Sequence, residues 1–424
     1  MTGVAALPLT LLAAWPAAIS AVNPDQRASW GIDPALIASL ITPAVAANRY
    51  PPRLALSNLS ADLSSDLSPE SLPESSSESP PDSLGGEFAL RYTFDPALQG
   101  EAQRLLGKYN PDYGALVALD PDTGRVLAMA SSSRHGDPGN MAMINAYPAA
   151  SISKIITAVA AVNEGKVAPD SVVPFNGKST SLYKKSVFDH RDNKWTRRYS
   201  FGKSFARSVN TVFGRVGAVE VGGDAMLDYA QRLGFNRRFA SDFAFGNGAV
   251  EVDTADRWQV AEMAAGYTTR NTLSPLHGAA LAAAAVNGGH LVAPAVVEAI
   301  LGPNGVPLYW HQPAKSEVMR ADTARALREM MRATVEIGSS RRSFARFHRG
   351  RLKDAVVGGK TGSLTGFAPR GKYDWFVGFG ELDGRKIAYA ALCINKRRWY
   401  VKSARLAREL LEFHFRETPA GDDA

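Results

Sequence analysis

The chain of 424 residues has one cysteine, Cys393, so neither an internal disulfide nor a cysteine-rich zinc site can be built from it. Its seven histidines show no metal-ligand spacing, and no metal or cofactor is expected. Charge is absent from residues 1–24, and basic residues stay scarce through residue 85, where 3 Lys or Arg face 8 Asp or Glu. We read no basic cluster with interleaved aromatics and no nucleic-acid-binding motif, so no nucleic-acid partner is expected. There is no internal repeat. With 45% hydrophobic and 21% charged residues, the composition excludes disordered, collagen-like and coiled-coil classes for the chain as a whole.

What is present divides in two. Residues 1–85 carry a net charge of −5, and residues 86–424 carry +12. The uncharged stretch 1–24 reads as a secretory signal or membrane anchor, although no Lys or Arg precedes it and Pro8 and Pro16 interrupt it. A mildly apolar tail, or a start placed too far downstream, would look the same. Residues 57–85 hold 11 Ser, 4 Pro and 6 acidic residues, and too few apolar side chains to offset the entropy of ordering. The expected organisation is a signal or anchor at 1–24, a low-complexity Ser/Pro/acidic linker at 25–87, one domain at 88–415, and a disordered tail at 416–424.

Within the domain, residues 88–94 read as a strand. Asp95-Pro96 then caps a helix that should stop near Gly107. Strands at 115–119 and 125–129 flank a turn of Asp, Pro and Gly residues. Helices are expected at 151–162, 208–218, 224–233 (capped by Asp224), 257–267, 275–286 and 322–336. Three strands follow, at 356–364, 375–381 and 386–394, and a last helix spans 401–415. Strands at both ends with helices between them imply an α+β fold: an antiparallel sheet flanked by helices, with a helical subdomain.

Lys154 is the lone charge in the apolar stretch 151–162, one helical turn after Ser151. Burial lowers a lysine's proton affinity, which would let it take a proton from a serine. A Ser-x-x-Lys alone is weak, since Ser181 and Lys184 form another, read as a surface loop. Ser208-Val209-Asn210 opens a later helix and could be a simple cap. Lys360-Thr361-Gly362-Ser363 lies in a strand and could be a protected edge. Their order is harder to dismiss: Ser208 lies 57 residues after Ser151, and Lys360 a further 152 on. His277 is read as a satisfied core residue, Cys393 as a small buried hydrophobe, and the basic run from Arg341 to Arg351 as a solvated surface.

With these three motifs in this order, the chain resembles the penicillin-binding transpeptidases, among the penicilloyl-serine transferases that also include the serine β-lactamases. Residues 92–99, 114–130, 273–278, 287–289 and 374–378 add to the likeness, which covers about residues 88–415. The resemblance implies a β-lactamase/transpeptidase-like fold and catalytic roles for Ser151 (nucleophile), Lys154 (base) and Ser208 (proton relay). It also implies substrate binding by Asn210, Lys360, Thr361, Gly362 and Ser363, with the N–H groups of Ser151 and Ser363 as oxyanion donors. Three departures stand out. Ala149-Ala150 precedes the serine where Pro-Gly is more usual, Ile155 replaces a frequent proline, and Ser363 replaces a commoner Thr. The implied activity is D,D-transpeptidation of peptidoglycan stem peptides through a serine acyl-enzyme. A D,D-carboxypeptidase, a serine β-lactamase, or a non-catalytic β-lactam sensor or scaffold are the alternatives. β-Lactams as inhibitors, a glycosyltransferase partner, an N-terminal membrane association, and a place in the cell envelope on the periplasmic side of the inner membrane are implied as well.

Overall fold

The computed structural model describes residues 34–55, 87–302, 305 and 307–416. The signal or anchor expected at 1–24, the Ser-rich stretch 57–85 and residues 417–424 of the expected tail lie outside the described residues. The centre is a five-stranded antiparallel sheet. Its strands are β3 (Tyr113–Leu119), β4 (Val126–Ser133), β7 (Val356–Phe367), β8 (Arg370–Leu382) and β9 (Arg385–Asn395), in the order β7-β8-β9-β3-β4. The two ends of the domain sequence thus meet where β9 pairs with β3, from Ile394 opposite Tyr113 to Ala388 opposite Leu119.

Both faces of this sheet are covered, which is why its middle strands are nearly continuous apolar runs. On one face lie α2 (Pro96–Tyr109) and α8 (Ser403–Arg416), whose Leu98, Leu105, Leu106, Leu406, Leu410 and Leu411 are buried with Phe376, Tyr389 and Cys393. Asp95 caps α2 by accepting from the N–H groups of Ala97 and Leu98. The helix runs past Gly107 to Tyr109, and Asn110, at φ 41°, ends it in its place. On the other face lies α6 (Pro275–Ala284), a helix built almost entirely of small apolar residues and wholly buried. It leads to the helical cluster of α3 (Lys154–Asn163), α4 (Asn210–Arg215), α5 (Arg257–Ala265) and α7 (Ala321–Glu336).

Two further differences concern helix ends. The helix expected over 208–218 begins at Asn210 and runs on as a π-helix over Val216–Val221. Asp224 sits in the first turn of the next helix, whose cap is Gly222 at φ 90°, a left-handed backbone that favours glycine.

The largest difference lies before the domain. The linker expected over 25–87 contains a helix, α1 (Pro34–Ala46), and a strand, β1 (Arg53–Ala55). Ile37, Ile41 and Val45 of α1 are fully buried in the main core. Asn140 donates its side-chain amide to Val45 O at 2.9 Å, and the Ala244 N–H donates to Thr42 Oγ1 at 2.7 Å. β1 pairs with β2 (Glu87–Tyr92) in a second sheet, β1-β2-β5-β6, with β5 at Val297–Leu301 and β6 at Pro307–Trp310. The Ser-rich neighbourhood masked an apolar helix whose spaced Ile and Val residues fill a groove on the domain. Removing such a buried side chain leaves a cavity. Ile41→Ala is therefore expected to lower stability by about 2–4 kcal/mol, read as a fall in the urea midpoint of the full chain. An unchanged midpoint would return residues 34–46 to the linker expected over 25–87.

Candidate active site

The segment entering α3 is a 3-10 turn, Ala150–Ser153, so Ser151 sits at a helix N-terminus with Lys154 one turn on. Ala150 takes a φ of 50°, left-handed backbone that glycine adopts more readily. This is the position of the missing Pro-Gly glycine, so the conformation is kept although the residue is not. The turn is held from three sides. The Trp375 indole N–H donates to Pro148 O at 2.9 Å, and Asn271 donates to Ser153 Oγ at 3.0 Å. Gly266, at φ 63°, follows α5, and a Cβ there would lie 1.8 Å from the Ala150 carbonyl oxygen. Only glycine lets α5 come this close.

Lys154 is fully buried, and its Nζ touches three oxygens. Ser151 Oγ lies at 2.8 Å and Asn210 Oδ1 at 2.7 Å, and the third partner is the Ala265 carbonyl at the end of α5. Asn210 is oriented by its own amide, which donates to Thr180 O at 2.9 Å, so its carbonyl oxygen faces the lysine. Burial, reinforced by the charge of Lys360, pushes the Lys154 ammonium well below its ordinary range. A neutral amine has two N–H donors and one lone pair. Asn210 Oδ1 and the Ala265 carbonyl can only accept, so they take the two N–H groups, and the lone pair is left for the Ser151 hydroxyl. Such a lone pair can accept the Ser151 hydroxyl proton.

The second lysine lies on the sheet edge. Lys360 on β7 is also fully buried, and donates to Ser208 Oγ at 2.9 Å and to Thr361 O at 3.0 Å. Burial lowers its pKa to about 7. Ser208 does not cap α4: Val209 occupies that place, and Ser208 stands before it at φ 57° with its hydroxyl turned to Lys360. Thr361 Oγ1 and Ser339 Oγ share a hydrogen bond of 2.6 Å. Gly362 brings β7 against the Ser151 turn, since a Cβ there would lie 3.1 Å from Ile152 and 3.2 Å from Ala149 O. Ser363 follows on the same strand, exposed.

The structure thus links Ser151 to Lys154 and Asn210, and Ser208 to Lys360 and Thr361, with Val209 alone between the two groups in sequence. The other Ser-x-x-Lys stays apart: Ser181 Oγ donates to Lys178 O, and Lys184 opens a short helix with its ammonium over the Trp258 ring. His277 is buried between the Gly248 N–H and the Leu233 carbonyl, and burial takes its pKa to about 4. Cys393 is buried, its thiol pushed up to about 12. Among the described residues no cluster of His, Cys, Asp or Glu could hold a metal ion, and no helix is long and apolar enough to cross a membrane. Sequence reasoning missed the Ala265 carbonyl, Asn271, Gly266 and Ser339. A backbone carbonyl has no residue signature, and only the glycine closing a helix hinted at the crossing.

A family model described as the penicillin-binding protein transpeptidase domain matches residues 114–412. The chain belongs to this family. Among its curated relatives, penicillin-binding protein PbpB of Mycobacterium tuberculosis is 29% identical over 252 residues, which are 56% of this chain and 36% of that one. Peptidoglycan D,D-transpeptidase PbpA of the same species is 26% identical over 353 residues, 72% of this chain and 66% of that one. The chain therefore spans between about a third and two thirds of these relatives. The D,D-transpeptidase domain of a peptidoglycan glycosyltransferase from Eggerthella lenta has the same fold, with a TM-score of 0.64 at 22% identity over 79% of this chain and 84% of that one. The fold class expected from the sequence is the one this family has.

The two buried lysines of this penicillin-binding transpeptidase domain carry a pH signature. In the unfolded chain Lys360 stays protonated up to about 10.5, whereas in the folded chain it loses its proton near 7. Between those values the unfolded state binds more protons, so this group's contribution to stability rises with pH. In urea titrations from pH 7 to 10, wild type is expected to gain stability relative to Lys360→Met as pH rises. A gap that stays constant would contradict the depressed pKa.

Proposed function

We propose that the chain is a serine D,D-transpeptidase that cross-links peptidoglycan stem peptides. The observation that carries this is the 2.8 Å contact between Ser151 Oγ and a fully buried Lys154 whose other two partners are acceptors only. Ser151 Oγ attacks the carbonyl carbon of the penultimate D-Ala, and its proton passes to the Lys154 amine. The resulting oxyanion meets the N–H groups of Ser151 and Ser363, and one such aimed donor is worth on the order of 3 kcal/mol in rate. As the C–N bond breaks, Ser208 relays a proton to the departing D-Ala amine. An ester on Ser151 remains. The amine of a neighbouring stem peptide then attacks that ester, and Ser151 recovers its proton.

Lys360, Thr361 and Ser363 are assigned to the terminal carboxylate, which would restore a full positive charge on Lys360. Asn210 holds Lys154 through its carbonyl oxygen, and the amide N–H not given to Thr180 is assigned to the peptide. Gly362 keeps the strand clear for close approach. No metal or cofactor takes part in these steps. β-Lactams would present their strained amide to the same serine and be held as esters.

The substrate lies outside the cytoplasm, so the chain is assigned to the cell envelope, on the periplasmic side of the inner membrane. Residues 1–24 would serve as signal or anchor and the Ser-rich stretch as a tether. A glycosyltransferase would supply the glycan strands.

Labelling with a fluorescent penicillin should give one adduct, absent from Ser151→Ala and at least about 100-fold slower in Lys154→Ala, as expected when a general base is lost. An adduct that persists in Ser151→Ala would overturn the assignment. With a stem peptide and an amine acceptor, cross-linked product is expected. Released D-Ala without it would make the enzyme a carboxypeptidase, and rapid loss of the penicillin adduct would make it a β-lactamase.

A further inference from the structure

One surface lies outside this chemistry. Residues 396–402 read Lys-Arg-Arg-Trp-Tyr-Val-Lys, so a basic run with interleaved aromatics does exist, contrary to the sequence reading. Its residues join a strand to a helix and belong to neither, so they carry no periodic signal. The loop is pinned at both ends. The Lys396 N–H donates to Asp112 Oδ2 at 2.8 Å, and the Ser403 N–H donates to the buried Asp374 at 2.8 Å. Val401 is buried beneath it.

Everything else in the loop faces out. Trp399 is 40% exposed and Tyr400 37% exposed. Lys402 Nζ lies 3.3 Å from the Trp399 ring centre, with Lys372 at 5.9 Å, and the Arg134 guanidinium lies 3.6 Å from the Tyr400 ring centre. Lys372, Lys396, Arg397, Arg398 and Lys402 are all exposed, and among the described residues none forms an ion pair. Two carboxylates lie beneath the loop: Asp112 is held by His135 and the Lys396 N–H, and the buried Asp374, which feels the charges of Lys402 and Lys372 without forming an ion pair with either, is held by Ser403. A fold that crowds this many unpaired cations around two half-exposed rings is built for an anionic surface.

We propose that this patch docks the domain on an anionic lipid bilayer. Trp and Tyr flanked by Lys and Arg suit the headgroup layer, where an amphipathic ring sits at the boundary and the cations meet lipid phosphates. Stacking of nucleic-acid bases or sugars fits less well, because one face of each ring is already covered by a cation of the chain itself. The other basic run makes a useful contrast. Arg341, Arg342, Arg346, Arg349 and Arg351 are exposed, but the nearby Phe344, Phe347 and Leu352 are buried, so no ring is offered there. The patch lies at the end of the sheet where β9 stops and β8 begins, one hairpin away from Lys360. Docking there would hold the site at a set distance from the membrane. The inference does not depend on the catalytic assignment.

Flotation of the full chain with vesicles tests it. Vesicles of 30% phosphatidylglycerol in phosphatidylcholine are expected to bind the wild type at least 10-fold more tightly than pure phosphatidylcholine does, with binding lost as salt is raised. Arg397→Glu/Arg398→Glu should lose at least 10-fold on the anionic vesicles, and Trp399→Ala should weaken binding while keeping the salt dependence. Circular dichroism and penicillin labelling should match wild type in both, showing that they are folded. Equal binding to neutral vesicles, wild-type binding by the double variant, or tighter retention by single-stranded DNA or polyglutamate than by anionic vesicles would each overturn the proposal.

Discussion

The site depends on one buried amine that has no counter-ion among the described residues. Lys154 sits in an apolar helix, fully enclosed, with three oxygens on its Nζ and, among the described residues, no ion pair. Moving an ammonium into such a place costs several kcal/mol after relaxation, and three neutral acceptors offset only part of that. Shedding the proton would remove the cost and leave a lone pair facing Ser151. Three separate helices supply the surroundings: Ser151 at the entry to α3, Asn210 at the start of α4, and the Ala265 carbonyl at the end of α5. The approach of α5 is as close as backbone geometry permits, which is why glycine stands at 266. Much of the helical cluster can be understood as the scaffold for this one polar contact.

The sheet contributes the second half. β7 lies at an edge, and an edge strand presents unpaired backbone groups that a second chain could join. Here that edge runs past the Ser151 turn, where an extended peptide could add to it. Lys360 lies on the same strand, and its positive charge is one reason Lys154 gives up a proton. The two lysines therefore divide the labour. One is poised to be neutral, and the other, near 7 when empty, would be drawn back to its charged form by a carboxylate. Left-handed backbone at the non-glycine residues Ala150 and Ser208 marks where local strain is accepted to aim these groups.

Much of this was legible in the residues. Asp95-Pro96, the Asp-Pro-Asp-Thr-Gly turn and the three late strands are local signals, and the structure follows them. The Ser-x-x-Lys, Ser-x-Asn and Lys-Thr-Gly motifs led to residues that do meet. What was not legible depended on tertiary contact. The apolar helix α1 beside a Ser-rich run reads as linker until the groove that buries Ile37, Ile41 and Val45 is known. Asn110 outdid Gly107 as a helix stop because the register of α2, not composition, decided where the chain turned. Ser208 read equally well as a cap, and only its positive φ and its contact with Lys360 separate the two roles. The meaning of the run 396–402 lies in the pinning of its ends and in the cations brought to it from Arg134 and Lys372, which no local pattern shows.

The charge state of Lys154 is the hinge of the account, and nitrogen NMR of lysine-labelled protein measures it directly. With Lys154→Met to assign the signal, the account predicts that Lys154 Nζ passes from an ammonium to a neutral-amine shift at a pH well below 10.5. An ammonium shift that persists to pH 10 would contradict it.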